Sequence, residues 1–209
     1  MSSTSTAADE LRQILTEYCN RYMNISDSVE NLLSQVSEDL RYELLSSITY
    51  SNGNTVLEQA AGRGHTELCV TLLLSLPPAD RLRLIIVDVD TLTALHRAAY
   101  WGHTETVSGI LSCLNADQQL HLLFTQDSFG NTALHYAARK RLTETAKTLL
   151  DIMTPEQQLK HLSVKDKEGN TASQEAVGYD GNSYTMRTLE HYQKEAHYGV
   201  NFRKYAKFS

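Results

Sequence analysis

Turn formers are scarce in this chain. It has 10 Gly and 3 Pro in 209 residues, about half their usual share. That excludes a fold built on many tight turns, and it excludes a long flexible linker. Long apolar runs are missing too. The longest, at 72–74 and 84–87, are far too short to span a bilayer, so no membrane partner is expected. Residues 1–6 are polar and carry no apolar stretch, so no classical signal peptide is read there. Cysteine is sparse and odd in number. Cys19, Cys69 and Cys113 fit reduced thiols in a cytoplasmic or nuclear compartment rather than a disulfide framework. A basic excess is also lacking: the formal net charge is −6, which argues against a general nucleic-acid binder. What remains is ordinary, with 41% hydrophobic and 21% charged residues, and this composition excludes wholesale disorder.

What the chain does have is internal repetition, the first pattern to seek in any sequence. Thr93-Ala94-Leu95-His96-Arg97-Ala98-Ala99 returns 39 residues later as Thr132-Ala133-Leu134-His135-Tyr136-Ala137-Ala138. Residues 88–111 and 127–150 share 11 identities in 24 ungapped positions. A weaker copy precedes them at Thr55-Val56-Leu57-Glu58-Gln59-Ala60-Ala61, and another follows at Thr171-Ala172-Ser173-Gln174-Glu175-Ala176-Val177. A second block keeps the same phase: Gly64-His65-Thr66-Glu67, Gly102-His103-Thr104-Glu105 and, for its second half, Thr143-Glu144.

Each copy reads in the same order. A turn comes first, as in Asp127-Ser128-Phe129-Gly130-Asn131, with Gly supplying the positive φ that a tight turn needs. The following Thr is a helix N-cap, because its hydroxyl can accept a first-turn amide. A short Ala-rich helix follows, then a Gly-His loop, then a second helix. The apolar positions of that second helix (Leu68, Leu72, Leu73; Val107, Ile110, Leu111; Ala146, Leu149, Leu150) fall at helical spacing.

With Thr-Ala-Leu-His-x-Ala-Ala at 93–99 and 132–138, and Gly-His-Thr-Glu at 64–67 and 102–105, the chain resembles the ankyrin-repeat family. Ala94 and Ala133 stand where that family's Thr-Pro-Leu-His pattern has Pro. The resemblance covers roughly 50–195, and it implies an all-α helical solenoid with short turn or hairpin fingers and helical caps at both ends. It also implies that His96 and His135 are structural, each ring tying one turn to its neighbour, and that His65 and His103 belong to structural loops. The family's period is 33, whereas this one is 38 to 39. The extra residues follow the second helix at 77–82, 115–120 and 154–159, and they contain all three prolines. Thr154 with Gln157 reads as a capping box and Pro155 as a first helical residue. Each insert is therefore expected to be a third short helix, ending near Ile86, Phe124 and Leu162. The finger at 88–92 lacks the turn Gly and is expected to be strained or differently shaped.

The expected organisation is a disordered terminus at 1–7, and a helical N-terminal cap or degenerate repeat at 8–49. Four repeats follow at 50–87, 88–126, 127–165 and 166–195, then a basic and aromatic tail at 196–209. In the cap, Leu11, Ile14, Leu15, Tyr18, Cys19 and Tyr22 share one helical face. So do Val29, Leu32, Leu33 and Val36, and then Leu40, Leu44, Leu45 and Ile48. The last second helix is expected over 185–194, and the tail beyond it reads either as a frayed terminus or as a short partner- or phosphate-binding tail.

Chemistry is looked for and not found. There is no C-x-x-C, no H-E-x-x-H, no G-x-S-x-G and no Gly-rich phosphate loop. No metal, cofactor or catalytic residue is expected. Cys113 and His121 are eight apart across an insert, but a buried Cys on an apolar helix is the commoner meaning of such a residue.

A repeat array of this kind presents its first helices and turns on one concave side. The positions that differ between copies form rows there: Gln59, Arg97, Tyr136, Glu175; Gly62, Tyr100, Arg139, Gly178; and Arg63, Trp101, Lys140, Tyr179. Val89, Asp90, Ser128, Phe129, Lys167 and Glu168 lie at the turn tips. The expected partner-binding set is Arg63, Arg97, Tyr100, Trp101, Phe129, Tyr136, Arg139 and Lys140, which includes the single Trp. Such residues dominate interface hot spots. The expected function is a non-catalytic protein–protein interaction module. It would recognise a partner protein, or an acidic or phosphorylated peptide held by bidentate Arg contacts, through its concave face. Two alternatives are the substrate-recruiting part of an effector or enzyme complex, and a nucleic-acid-associated regulator. The low net charge disfavours the second. Partner identity and oligomeric state are left open.

Overall fold

The computed structural model describes residues 3–18, 26–87, 92–177 and 183–206, with side chains left out at 3–7, 17–18, 26 and 201–206. Among the described residues there are fourteen helices and no strand, so the fold is all-α. The expectations for Cys19, Tyr22, Val89, Asp90, Gly178, Tyr179 and the finger at 88–91 lie outside the described residues. The chain divides into two compact units, 1–122 and 123–209.

The first unit opens with α1 (Ser3–Tyr18), α2 (Ser26–Ser34) and α3 (Glu38–Ser47). Helix α1 starts at Ser3, inside the stretch expected to be disordered. Two triplets follow: α4 (Val56–Gly62), α5 (Thr66–Leu74), α6 (Pro78–Ile85), then α7 (Ala94–Trp101), α8 (Thr104–Ser112) and α9 (Ala116–Phe124). The sixth and ninth helices are the inserts, and they end within a residue of the expected Ile86 and Phe124. Packing repeats with the sequence. Helix α4 packs on α7, α5 on α8, α2 on α5 and α3 on α6. Ala60, Ala61, Ala98 and Ala99 are fully buried between the first helices, where small side chains allow close approach. Leu68, Leu72, Leu73, Val107, Ile110 and Leu111 form the core between the second helices. In the cap, Leu11, Leu15, Val29, Leu33, Leu44 and Leu45 are buried, while Leu40 is half exposed in the first turn of α3.

The second unit holds α10 (Ala133–Arg139), α11 (Thr143–Asp151), α12 (Pro155–Leu162), α13 (Ala172–Glu175) and α14 (Tyr184–Ala206). Helix α10 packs on α11 and α13, and α14 lies along α11, α12 and α13. The capping box at Thr154 forms as expected: Gln157 N donates to Thr154 Oγ1, and Thr154 N donates to Gln157 Oε1 at 2.8 Å. One expectation is corrected. The final helix does not stop near Lys194 with a frayed tail but continues to Ala206. Ala196 is buried, and Gly199 comes so near Pro155 that an added Cβ would touch the ring at 3.4 Å. No helix among the described residues is long and apolar enough to cross a membrane.

The repeated Thr caps every first helix, and its partner three residues on completes the box. Thr55 N donates to Glu58 Oε2 (2.9 Å), Thr93 N to His96 Nδ1 (3.2 Å), Thr132 N to His135 Nδ1 (3.2 Å) and Thr171 N to Gln174 Oε1 (2.8 Å). Since Nδ1 accepts from an amide, the proton of His135 sits on Nε2, which donates to Asn170 O at 3.3 Å. The ring thus ties one finger to the next, as the resemblance implies. Burial pushes its pKa down, which keeps it in this neutral form.

Candidate functional site

In the first unit, the loops and first helices of two adjacent repeats enclose a cleft of about 520 Å³. Arg63, Arg97 and Trp101 line it, together with Asn52, Asn54 and Glu58. Gly62 forms part of the floor: a Cβ there would meet Arg97 Cβ at 3.7 Å and Trp101 Cδ1 at 3.8 Å. His103 Nε2 donates to Gly62 O at 3.2 Å, and its ring lies over Gly64. Gly64 has φ +74, and a Cβ there would sit 2.7 Å from His103 Nδ1, so both conformation and space require glycine.

The cleft's side chains differ in freedom. Arg97 is anchored, its Nη2 donating to Asn54 Oδ1 at 2.5 Å and its Nε lying 4.0 Å from Glu58 Oε2. Asn54 is fixed in turn through Gln59 Oε1 at 3.2 Å. Arg63 makes no ion pair among the described residues and is half-buried. Trp101 is 63% exposed, an unusual state for so large an apolar surface, and Tyr100 packs against it edge-on with centroids 5.0 Å apart.

In the second unit, Phe129 stands at a finger tip, 68% exposed. Its backbone is locked, because its N–H donates to Asp127 Oδ1 and its carbonyl accepts from Lys167 N, both at 2.9 Å. Tyr136 is buried, and its hydroxyl donates to Asp127 Oδ2. Burial and that carboxylate raise its pKa far above the usual phenol range. Arg139 is exposed but occupied: Nε donates to Glu175 Oε2 at 2.6 Å and Nη2 to Asn131 Oδ1 at 3.0 Å. The hydrogen bond to Glu175 is the main reason its pKa is raised. Lys140 and Arg141 follow it, both exposed.

The structure therefore gathers Arg63, Arg97 and Trp101 around one cleft, with Tyr100 braced against the Trp, and it places Phe129, Tyr136, Arg139 and Lys140 in the other unit. Tyr136 and Arg139 are used within their own unit. Alignment rows alone overlooked Asn52, Asn54 and Glu58. The signal for them was present, since two Asn flanking the turn Gly53 are natural acceptors for a cation one repeat away.

Two family models match the chain. One, described as ankyrin repeats (3 copies), covers residues 17–121, and the other, ankyrin repeats (many copies), covers 95–150. The chain belongs to the ankyrin-repeat family. Ankyrin repeats generally mediate protein–protein interactions, and their typical members are binding modules rather than catalysts. No curated protein matches the chain.

Ankyrin repeats carry a further fixture here, the insert helix, and one of its positions recurs as Arg41, Arg81, Gln119 and Gln158. Arg41 donates to Val36 O and Ser75 O, both at 2.9 Å. Arg81 repeats this with Leu76 O at 3.1 Å and Cys113 O at 2.9 Å. Each Arg thus caps two second-helix ends, its own and the next repeat's. The shorter Gln119 and Gln158 reach Leu111 O at 2.9 Å and Leu150 O at 3.0 Å, in their own repeats.

Cys113 donates its thiol to Gly109 O at 3.2 Å, and burial pushes its pKa up. It is held in the protonated, weakly nucleophilic form. Among the described residues no group of three or more His, Cys, Asp and Glu is placed to hold a metal.

Proposed function

We propose that this ankyrin-repeat chain is a non-catalytic, cytoplasmic protein-binding module, and that the face carried by its first helices and turns takes an acidic or phosphorylated segment of a partner. The observation that carries this reading is the cleft at Arg63, Arg97 and Trp101. An exposed indole gives apolar area at low entropic cost, and Arg63 makes no ion pair among the described residues. Arg97 is already oriented by Asn54, so less freedom is lost when a carboxylate or phosphate meets it. Tyr100 and Lys140 belong to the same sequence rows and Phe129 stands at a turn tip, while Tyr136 and Arg139, also in the rows, are held by contacts within the second unit. No bond is made or broken in this mechanism.

The test is capture of the native partner by the full chain and by a variant carrying Arg63→Ala and Trp101→Ala. Neither side chain has a hydrogen bond to another described residue, so the melting temperature should stay within about 2 °C of the parent. Partner capture should fall by tenfold or more, since two hot-spot truncations of about 1–2 kcal/mol each remove that much. Undiminished capture by the double variant would remove the cleft from the mechanism.

A further inference from the structure

The last helix carries a second surface that the cleft does not use. Along α14, the residues Tyr184, Arg187, His191, Lys194 and Tyr198 follow one another at alternating steps of three and four. That is the 3.5-residue spacing of a helix-pairing seam. All five are exposed, Tyr184 by 67% and Tyr198 by 72%. Leu189 and Ala196, on the opposite side of the helix, are buried against the unit. The seam therefore lies on the outward side of α14, with Tyr184, Arg187 and His191 bordering Lys147 and Gln158 at one edge. Hollows flank it on both sides. One, of about 530 Å³, brings Lys147 and Gln158 beside Tyr184 and His191. The other, of about 600 Å³, lies along Gln193, Lys194 and His197.

We propose that this seam docks an acidic α-helix of a partner protein, separately from the segment bound at the cleft. Two tyrosines about 21 Å apart along the axis (14 residues at 1.5 Å) bracket two cations, Arg187 and Lys194, and the imidazole of His191. The matching helix has carboxylates facing Arg187, His191 and Lys194, with apolar residues facing Tyr184 and Tyr198. Glu190 and Glu195 flank the seam, so basic residues on the partner's flanks complete the match.

Charge decides against the other occupants. A second copy of this chain would set Arg187 against Arg187 in a parallel pair, or against Lys194 in an antiparallel one, like charges in either register. A bilayer would gain little, because the seam holds no aliphatic side chain. A polyanion would meet Glu190 and Glu195 beside the cations, in a unit with 12 basic and 10 acidic residues and so a formal charge of only +2.

The probe is a synthetic 18-residue helix with Glu at the three central seam positions and Leu at the outer two, titrated by fluorescence anisotropy into the full chain. Saturable binding is expected. It should weaken about tenfold or more in a chain carrying Arg187→Glu and Lys194→Glu, and return when the probe's Glu residues are changed to Lys. Melting curves of this variant and of one carrying Lys194→Glu alone are recorded beside the parent's, so that a loss of binding is separated from a loss of folding. Chains carrying Arg63→Ala and Trp101→Ala should bind the probe as the parent does, which separates this surface from the cleft. The proposal is overturned if the probe fails to bind, if charge reversal leaves its affinity unchanged, or if the cleft variant loses it. Tighter binding of a single-stranded oligonucleotide or of anionic vesicles would overturn it as well.

Discussion

Two residues break the repeat's own rules. His161 sits where the preceding insert helices place Leu84 and Leu122, and it is 1% exposed. Its Nε2 donates to Leu123 O at 2.8 Å, Phe124 meets its ring edge-on, and its Nδ1 has no hydrogen-bond partner among the described residues. Burial pulls its pKa down to about 4, below the unfolded value near 6.5. The folded state therefore binds the proton later than the unfolded state as pH falls. The associated stability is intact above about pH 6.5 and is lost between there and pH 4, by up to about 3 kcal/mol. Urea unfolding followed from pH 7 to pH 4.5 should show that decline, and His161→Leu should flatten it. Arg141 is the other exception. It has φ +58 at the loop position where other repeats have Gly64 (φ +74) and Gly102 (φ +75). A left-handed non-Gly residue costs about 1 kcal/mol, partly offset by its smaller loss of chain entropy. Arg141→Gly should thus stabilise the protein by about 0.5 kcal/mol in equilibrium denaturation, and an equal or larger loss would mean that the Arg side chain makes up for the strain.

At the scale of elements, helices were the most legible feature, because their ends depend on neighbours in sequence. Thr154, Pro155 and Gln157 lie within four residues of one another, and together they specify where α12 begins. The pairing of the row side chains was less legible, because their partners lie in different repeats. Arg97 meets Asn54 and Arg139 meets Glu175, over separations of 43 and 36 residues. An alignment row shows such residues as variable without showing that they satisfy one another. The Arg81 clamp was missed for the same reason, since Cys113 O lies 32 residues away. It joins two repeats by a charged donor on helix-end carbonyls, a stronger bond than a neutral one. Arg81→Ala should cost about 1–2 kcal/mol, and Arg81→Gln about half of that, since Gln keeps the contact within the repeat. Gln158→Ala, which removes a bond within one repeat, should cost less than Arg81→Ala. Equal costs for Arg81→Ala and Arg81→Gln would show that the reach to Cys113 contributes nothing.

At the scale of the molecule, charge is divided unevenly. Residues 1–122 have 7 basic and 15 acidic residues, a formal −8, and residues 123–209 have 12 and 10, a formal +2. Every lysine, from Lys140 to Lys207, is in the second group. A surplus of negative charge over most of the first unit makes Arg63 and Arg97 a local exception rather than part of a basic surface. On the proposed reading, an acidic segment would be attracted to the cleft and repelled around it, which would favour register over bulk affinity. The second unit ends on α14, whose length decides what the terminus does. If 196–206 were a frayed end, removing it would leave stability unchanged. In the structure, Ala196 is buried and Gly199 closes on Pro155, so the last turns complete the packing of α12 and α14. Deleting 196–209 should then expose apolar surface worth about 1 kcal/mol and lower the melting temperature by about 5 °C. A melting curve identical to the parent's would mean that the helix beyond Glu195 adds no stability and that its exposed face alone accounts for its presence.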